Sequence, residues 1–260
     1  MEPVQMLWPP RGDGSPSDPL TDTDLERLYA YPDQLSRPWV QANFVASADG
    51  AAAVDHRSAG LSHPADKRIF ALGRDLADVV LVGAGTVETE NYRGVRNTER
   101  RAERRRRRGL AEVPPIAVVS GRCTIRPDAA LLTDSTVPPI IFTTEAATPE
   151  RRKALAAAGA EVVVTGEHTV DPHALLDELD QRGLRRVNCE GGPHLFATLV
   201  AEDLVDQLCL TVAPLLAGAG ADRIVAGRRS EVPRGLSLAS ILHEDGFCLF
   251  RYRRAAGAGG

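Results

Sequence analysis

Lysine is almost missing from this chain: of 31 basic residues, only Lys67 and Lys153 are not arginine. That one-sidedness reads as a coding bias, so a single arginine carries less functional information here than elsewhere. Cysteine is sparse as well. Cys123, Cys189, Cys209 and Cys248 lie far apart, with no C-x-x-C and no histidine at ligand spacing. This pattern argues against a zinc site, or any metal site, and against a disulfide framework; it suits a reducing cytoplasm. No apolar run approaches the roughly 18 residues that a spanning helix needs, so no membrane partner is expected. The opening residues lack the basic and apolar pattern of a signal. Residues 9–19 are nearly all Pro, Gly, Ser and Asp, which reads as disorder within a leader over 1–37. A net charge of −4 argues against nucleic acid as the main partner.

With 260 residues, 43% of them hydrophobic and 25% charged, the chain is long enough for one large soluble domain. The most informative stretch runs from Arg186 to Phe196. Val187 to Cys189 reads as a short buried strand. Gly191 and Gly192 allow a sharp turn that can come close to a ligand, since neither carries a Cβ. Pro193 fits the first turn of a helix, and Leu195, Phe196, Leu199 and Val200 continue at helical spacing. Strand, Gly-Gly turn and helix N-terminus together form an anion site in physical terms. Glu190 would stand beside whatever binds. A tight connection with no ligand is the plain alternative.

The same pattern occurs earlier. Val79 to Val82 is a continuous apolar strand of the buried parallel kind, closed by Gly83-Ala84-Gly85-Thr86 at a helix start. It is not a dinucleotide fingerprint, because Glu88 stands where the third glycine of G-x-G-x-x-G belongs. Further strands are expected at 40–46, 116–119, 140–143, 161–164 and 204–214. Helices are expected at 149–158 and 172–182, with another capped by Ser62 or His63 and carrying Ile69, Leu72 and Leu76 on one face. Segments 236–242 and 247–252 alternate as a closing antiparallel pair. The architecture is therefore α/β: a mixed, mostly parallel central sheet flanked by helices, with antiparallel C-terminal strands, in one domain over 38–254 and a tail at 255–260. The two glycine turns fall at carboxyl ends of parallel strands, where open sheets bind ligands. Segment 204–214 would leave an open apolar edge in a monomer. Residues 96–109, with eight arginines, read as a solvated helix or loop, an RNA-binding arm being the lesser alternative.

Arg37-Pro38-Trp39-Val40, Ser47-Ala48-Asp49-Gly50, Val82 to Thr86, Glu190-Gly191-Gly192-Pro193, Leu204-Val205-Asp206 and Ala213 to Gly218 occur in family order. They resemble the reductase domain of riboflavin biosynthesis, the C-terminal half of the bifunctional pyrimidine deaminase/reductase. The deaminase signature, H-x-E with P-C-x-x-C, is absent. The resemblance implies a dihydrofolate-reductase-like fold and NADPH-dependent reduction of 5-amino-6-(5-phosphoribosylamino)uracil at C1′ of the opened ribose. It implies cofactor contacts at Val45, Gly60, Gly83, Gly85, Thr86, Glu90, Ser120 and the turn Gly191, Gly192, Pro193, His194, Leu195 and Phe196. Substrate contacts fall on Ser58, Arg74, Arg96 and Glu190, with Glu190 or Asp49 assisting proton delivery. Relatives pair, so a homodimer is implied too. Departures gather on the substrate side: Ala48 replaces a leucine, Asn43 a lysine, and Glu90-Asn91-Tyr92 an acidic-Asp-Pro segment. Two alternatives follow: a dihydropterin such as dihydrofolate as substrate, with Asp66 as the binding acid, or an inactive NADPH-binding protein.

Overall fold

Val79, Val80, Leu81 and Val82 are all fully buried, because helices cover both faces of their strand. Val79 and Leu81 enter one core while Val80 and Val82 enter another, the period of two that a pleated strand imposes. The computed structural model describes residues 4–9, 19–227 and 233–255. Most of the stretch read as a disordered leader (10–18) and the tail residues 256–260 lie outside these.

In chain order the described elements begin with β1 (Gln5–Trp8), α1 (Asp22–Leu28), β2 (Trp39–Ser47), α2 (Pro64–Leu76), β3 (Val79–Gly83) and α3 (Ala84–Thr89). There follow α4 (Glu99–Arg107), β4 (Ile116–Val119), α5 (Ala130–Thr133), β5 (Ile140–Thr143), α6 (Pro149–Ala157) and β6 (Glu161–Val164). The chain closes with α7 (Pro172–Gln181), β7 (Arg186–Cys189), α8 (Pro193–Ala201), β8 (Gln207–Ala213), β9 (Leu236–Glu244) and β10 (Phe247–Arg254). They form a 10-stranded sheet in the order β1-β9-β10-β8-β2-β7-β3-β4-β5-β6. Pairing is parallel from β8 through β6 and antiparallel from β1 through β8. Helices α7 and α8 cover one face, with Leu175, Leu179, Phe196 and Leu199 in the core. On the other face, α2 brings Ile69, Leu72 and Leu76 onto Cys209 and Leu249.

Two expectations change here. The segment 204–214 does not present an open edge: β8 is hydrogen-bonded to β10 on one side and β2 on the other. The edges are β1 and β6, so the open-edge reason for a dimer falls away. Residues ahead of Pro38, set apart as a leader, supply β1 and α1, and Val4, Leu25 and Tyr29 pack with Leu72 and Leu242. A strand of four residues (Gln5–Trp8) leaves little periodicity to read in a sequence, and its pairing with β9 is entirely non-local.

The arginine-rich segment forms α4 and is only partly solvated, since Arg104 and Arg105 are buried. Arg104 donates to Glu26 at 2.6 Å and also bonds Asp75. Arg105 donates to the carbonyls of Arg74 at 2.9 Å and Ala77 at 2.6 Å, the acceptors that the end of α2 leaves unpaired. Burial pushes the Arg105 pKa down to about 10, against the pull of Asp75 and Asp78; the group still carries its charge at neutral pH. The helix thus rivets α1 to α2. Arg104→Leu should lower stability by about 2–3 kcal/mol in urea unfolding, less than the roughly 3–5 kcal/mol for a lone buried pair because Arg101 still faces Asp75. Arg106→Ala, an exposed side chain paired with Glu103, should change it by less than about 0.5 kcal/mol. Equal effects would overturn this division.

Candidate active site

The two glycine turns abut. Because β3 pairs with β7, the turn after each strand leaves the sheet at the same place. The Gly83 N–H donates to the Gly191 carbonyl at 2.7 Å, and the Glu190 N–H donates to Leu81 at 2.9 Å. Gly191 adopts φ +85°, a conformation that favours glycine, and a Cβ there would also meet the Phe44 ring at 3.0 Å. Gly192 has an ordinary φ, but its hypothetical Cβ would stand 2.4 Å from Thr86 Oγ1. Gly192 is the N-cap of α8, Pro193 occupies its first turn, and no side chain caps it. The first N–H groups of that nine-residue helix are therefore left for the contents of the cleft.

A cleft of about 2410 Å³ runs along these carboxyl ends. Its walls include Gly83 to Thr86, Ser120 to Arg122, Gly192 to Leu195, and the loops 52–59 and 217–222. The first of those loops is tied down rather than loose. The Ser58 N–H and hydroxyl both donate to Glu90 Oε1 at 2.9 Å, and the Ala52 N–H donates to Asp222 at 2.7 Å. Ser58 and Glu90, expected on substrate and cofactor respectively, thus bond to each other.

At the centre of the cleft lies a buried ion pair. Glu190, whose side chain is fully covered, accepts from Arg74 Nε and Nη2, each at 2.7 Å. It also accepts from the Tyr92 hydroxyl at 2.8 Å and from Asn188 Nδ2 at 3.0 Å. Four donors satisfy the carboxylate, and the forked Arg74 geometry is the strong bidentate kind. The Arg74 guanidinium also lies 4.7 Å from the centre of the Phe70 ring and 5.3 Å from that of Tyr92. Burial works against the charge on Arg74, but Glu190 outweighs it and raises the pKa. Burial, reinforced by Glu190, pushes the Tyr92 hydroxyl well above its usual range. The group is a fixed platform presenting one arginine edge and two aromatic faces.

The other expected residues divide. Val45, Gly83, Gly85, Thr86, Glu90, Ser120, Pro193, His194, Leu195, Ser58, Arg74 and Arg96 all line the cleft. Gly60, Gly191 and Phe196 are not among its lining residues; Phe196 instead packs on Phe44 with ring centroids 4.6 Å apart. Asp49, expected as a proton donor, is also outside the lining and serves as a loop anchor. It accepts from the Ala217 N–H at 3.1 Å and the Gly218 N–H at 2.8 Å, and from the Ser47 hydroxyl. The Ser47 bond, followed by the two backbone bonds, lowers its pKa to about 2, so it holds no proton at neutral pH. Tyr92, Asn188 and Phe70 were missed by the sequence reading. Phe70 and Arg74 share one stripe of α2 at i and i+4, and that spacing was the signal available.

The family model of the RibD C-terminal domain matches residues 38–244. The 2,5-diamino-6-ribosylamino-4(3H)-pyrimidinone 5′-phosphate reductase of Archaeoglobus fulgidus is 32% identical over 183 residues, 70% of this chain and 83% of that protein. The enzyme of the same name from Methanothermobacter thermautotrophicus is 30% identical, over 79% of this chain and 96% of its own. A solved pyrimidine reductase-like protein from Corynebacterium diphtheriae superposes with a TM-score of 0.78 at 24% identity, covering 90% of this chain and 99% of that one; at that identity the likeness concerns the fold. The chain belongs to the RibD C-terminal domain family.

Proposed function

We propose that this chain is an NADPH-dependent reductase that converts a ribosylamino-pyrimidine 5′-phosphate to its ribitylamino form. The observation that carries the reading is the convergence of two glycine turns and the uncapped start of α8 on one cleft that is also lined by Arg74, Glu190 and Tyr92. Family membership and the names of the curated relatives support it. The reaction adds a hydride at C1′ of the opened sugar and a proton to balance it; NADPH supplies that hydride when bound.

The residues fit a dinucleotide. The missing Cβ of Gly192 lets Thr86 Oγ1 stand against the turn, beside the uncapped N–H groups of α8, where a pyrophosphate would bind. Thr86 adds a hydroxyl, and Ser120 and Arg122 supply donors for a 2′-phosphate. Arg96, exposed at the cleft, suits the phosphate of the substrate. Glu190 holds Arg74 in place, and Arg74 with Tyr92 positions the sugar. Holding reactants about 3–3.5 Å apart in aligned geometry accounts for much of the catalysis that such an enzyme needs. Glu190 is thereby a positioning residue and not a proton donor. A homodimer belongs to this reading on the family resemblance alone, and light scattering at micromolar concentration tests it.

NADPH oxidation in the presence of the diaminopyrimidinone 5′-phosphate or its aminouracil counterpart tests the activity; no turnover of either would overturn it. NADPH should be preferred to NADH, and Arg122→Ala should cut the ratio of kcat/KM values by about tenfold, the low end for a bond to a charged group. An unchanged ratio removes Arg122 from the cofactor site. Glu190→Gln should leave the NADPH Kd within about twofold while lowering kcat/KM for the substrate by roughly tenfold to a hundredfold. A loss confined to NADPH binding, read by fluorescence titration, would place Glu190 on the wrong side of the cleft.

A further inference from the structure

Beneath α2 a file of buried polar side chains crosses the sheet through β9, β10, β8, β2 and β7. Arg251 Nε donates to the Ser240 hydroxyl at 3.2 Å, and its Nη1 donates to Gln207 Oε1 at a long 3.5 Å. Gln207 Nε2 donates to Gln41 Oε1 at 2.6 Å. Further along, Asn188 Nδ2 donates to Glu190 Oε1 at 3.0 Å, so the file ends on the platform in the cleft. Arg251 has no carboxylate partner among the described residues, and the file therefore runs from a buried cation to a buried anion. That polarity fixes the amides. A guanidinium can only donate and a carboxylate can only accept, so each amide turns its oxygen toward Arg251 and its nitrogen toward Glu190.

One link is missing. Gln41 and Asn188 are register partners on the parallel strands β2 and β7. Their neighbours Val40, Ala42, Val187 and Cys189 enter the core under α7 and α8, so both amides leave by the α2 face. Yet Gln41 Nε2 and Asn188 Oδ1 each lack a hydrogen-bond partner. One is a donor and the other an acceptor, and buried polar atoms are nearly always paired. Neighbouring strands stand about 4.8 Å apart, close enough for a single water to join the two atoms. Gly73 lets α2 cover the spot, since a Cβ there would stand 2.8 Å from Asn188 Oδ1. The Tyr31 hydroxyl, also without a partner, is buried in the same layer with Leu72, Leu76 and Cys209.

We infer that one internal water joins Gln41 Nε2 to Asn188 Oδ1, and that Gln41 is through it a positioning residue for the Glu190–Arg74 pair. This rests on the reductase reading and adds a residue to it. The water accepts from Gln41 and donates to Asn188, which completes a run of donors pointing from Arg251 to Glu190. Bonds aligned in this way polarise one another in a low-dielectric interior, and Asn188 is held with its nitrogen on Glu190. Without the link, the oxygen end of Asn188 is free, and Glu190 loses the fixed direction of one of its four donors. Gln41 is not among the residues that line the cleft, so its effect on the sugar passes through Arg74.

Gln41→Leu removes the donor, and Gln41→Met serves as a second variant with a more flexible side chain. Substrate kcat/KM should fall roughly threefold to tenfold, the weight of one neutral hydrogen bond, while the NADPH Kd stays within about twofold. In a Glu190→Gln background the same change should add less than about twofold, because the amide no longer fixes Arg74. Proton exchange at Arg74 Nε, which Glu190 covers at 2.7 Å, reads the link without turnover. By NMR it should speed up roughly threefold or more in Gln41→Leu. Leu242→Val, a buried change in the same layer but off the file, should lower the melting temperature and move neither readout. A crystal structure should show one water bonded to both atoms. No such water, unchanged kcat/KM and exchange in both Gln41 variants, an equal loss of NADPH, full additivity with Glu190→Gln, or the same losses in Leu242→Val would each overturn the inference. A wild type inactive toward both phosphorylated substrates, with Arg74 exchange still dependent on Gln41, would overturn the reductase reading alone.

Discussion

One backbone hydrogen bond, from the Gly83 N–H to the Gly191 carbonyl at 2.7 Å, brings the two halves of the cleft together. It continues the β3–β7 ladder past the end of the strands and presses Gly192 against Thr86. Remove the adjacency and the start of α8 no longer opens on the same space as Ser120 and Arg122. The turn requires a residue at φ +85° at position 191 and one without a Cβ at 192, where Thr86 Oγ1 would be 2.4 Å away. The glycines are therefore demands of packing first, and the shape of the candidate site is a consequence of them.

The arginines show how one residue type is divided by its surroundings. Arg104 and Arg105 are buried in α4, where they satisfy carboxylates and helix-end carbonyls of α1 and α2. Arg74 stands at the cleft and Arg106 in solvent. Guanidinium suits the first two roles because it stays charged under partial burial and presents five donors in a fixed fork. A lysine in place of Arg105 could not reach several carbonyls at once. The coding bias toward arginine and the structural need for it coincide in α4.

The cleft holds two buried carboxylates with opposite fates. Glu190 is closed on every side by Arg74, Tyr92 and Asn188, so its charge is neutralised within the protein and its geometry is fixed. Asp66 is bonded by the Ser62 and Thr211 hydroxyls, with Lys67 and His63 acting on it only through space. Burial raises its pKa, and the Ser62 and Thr211 hydroxyls offset only part of that. The first is an ion pair with a fixed fork; the second is held by hydroxyls alone. Asp66 and the Arg74 that holds Glu190 sit two turns apart on α2.

The sequence alone determined what depends on neighbouring residues. The apolar run Val79 to Val82, the glycine turns at 83–86 and 190–193, the Pro193 helix start and the antiparallel closing pair all follow from local patterning, and each is found where expected. So does the family, since its motifs are local strings in order. Tertiary structure decided whatever joins distant residues. It paired Arg74 with Glu190 across 116 positions, took Asp49 out of the cleft to anchor Ala217 and Gly218, and placed β8 inside the sheet beside β10. It also drew β1 into the sheet and left Asn43 Nδ2 without a hydrogen-bond partner. A short string of residues encodes backbone preference and hydrophobic period. It does not encode which charges meet, because ion pairs and burial belong to the packed whole.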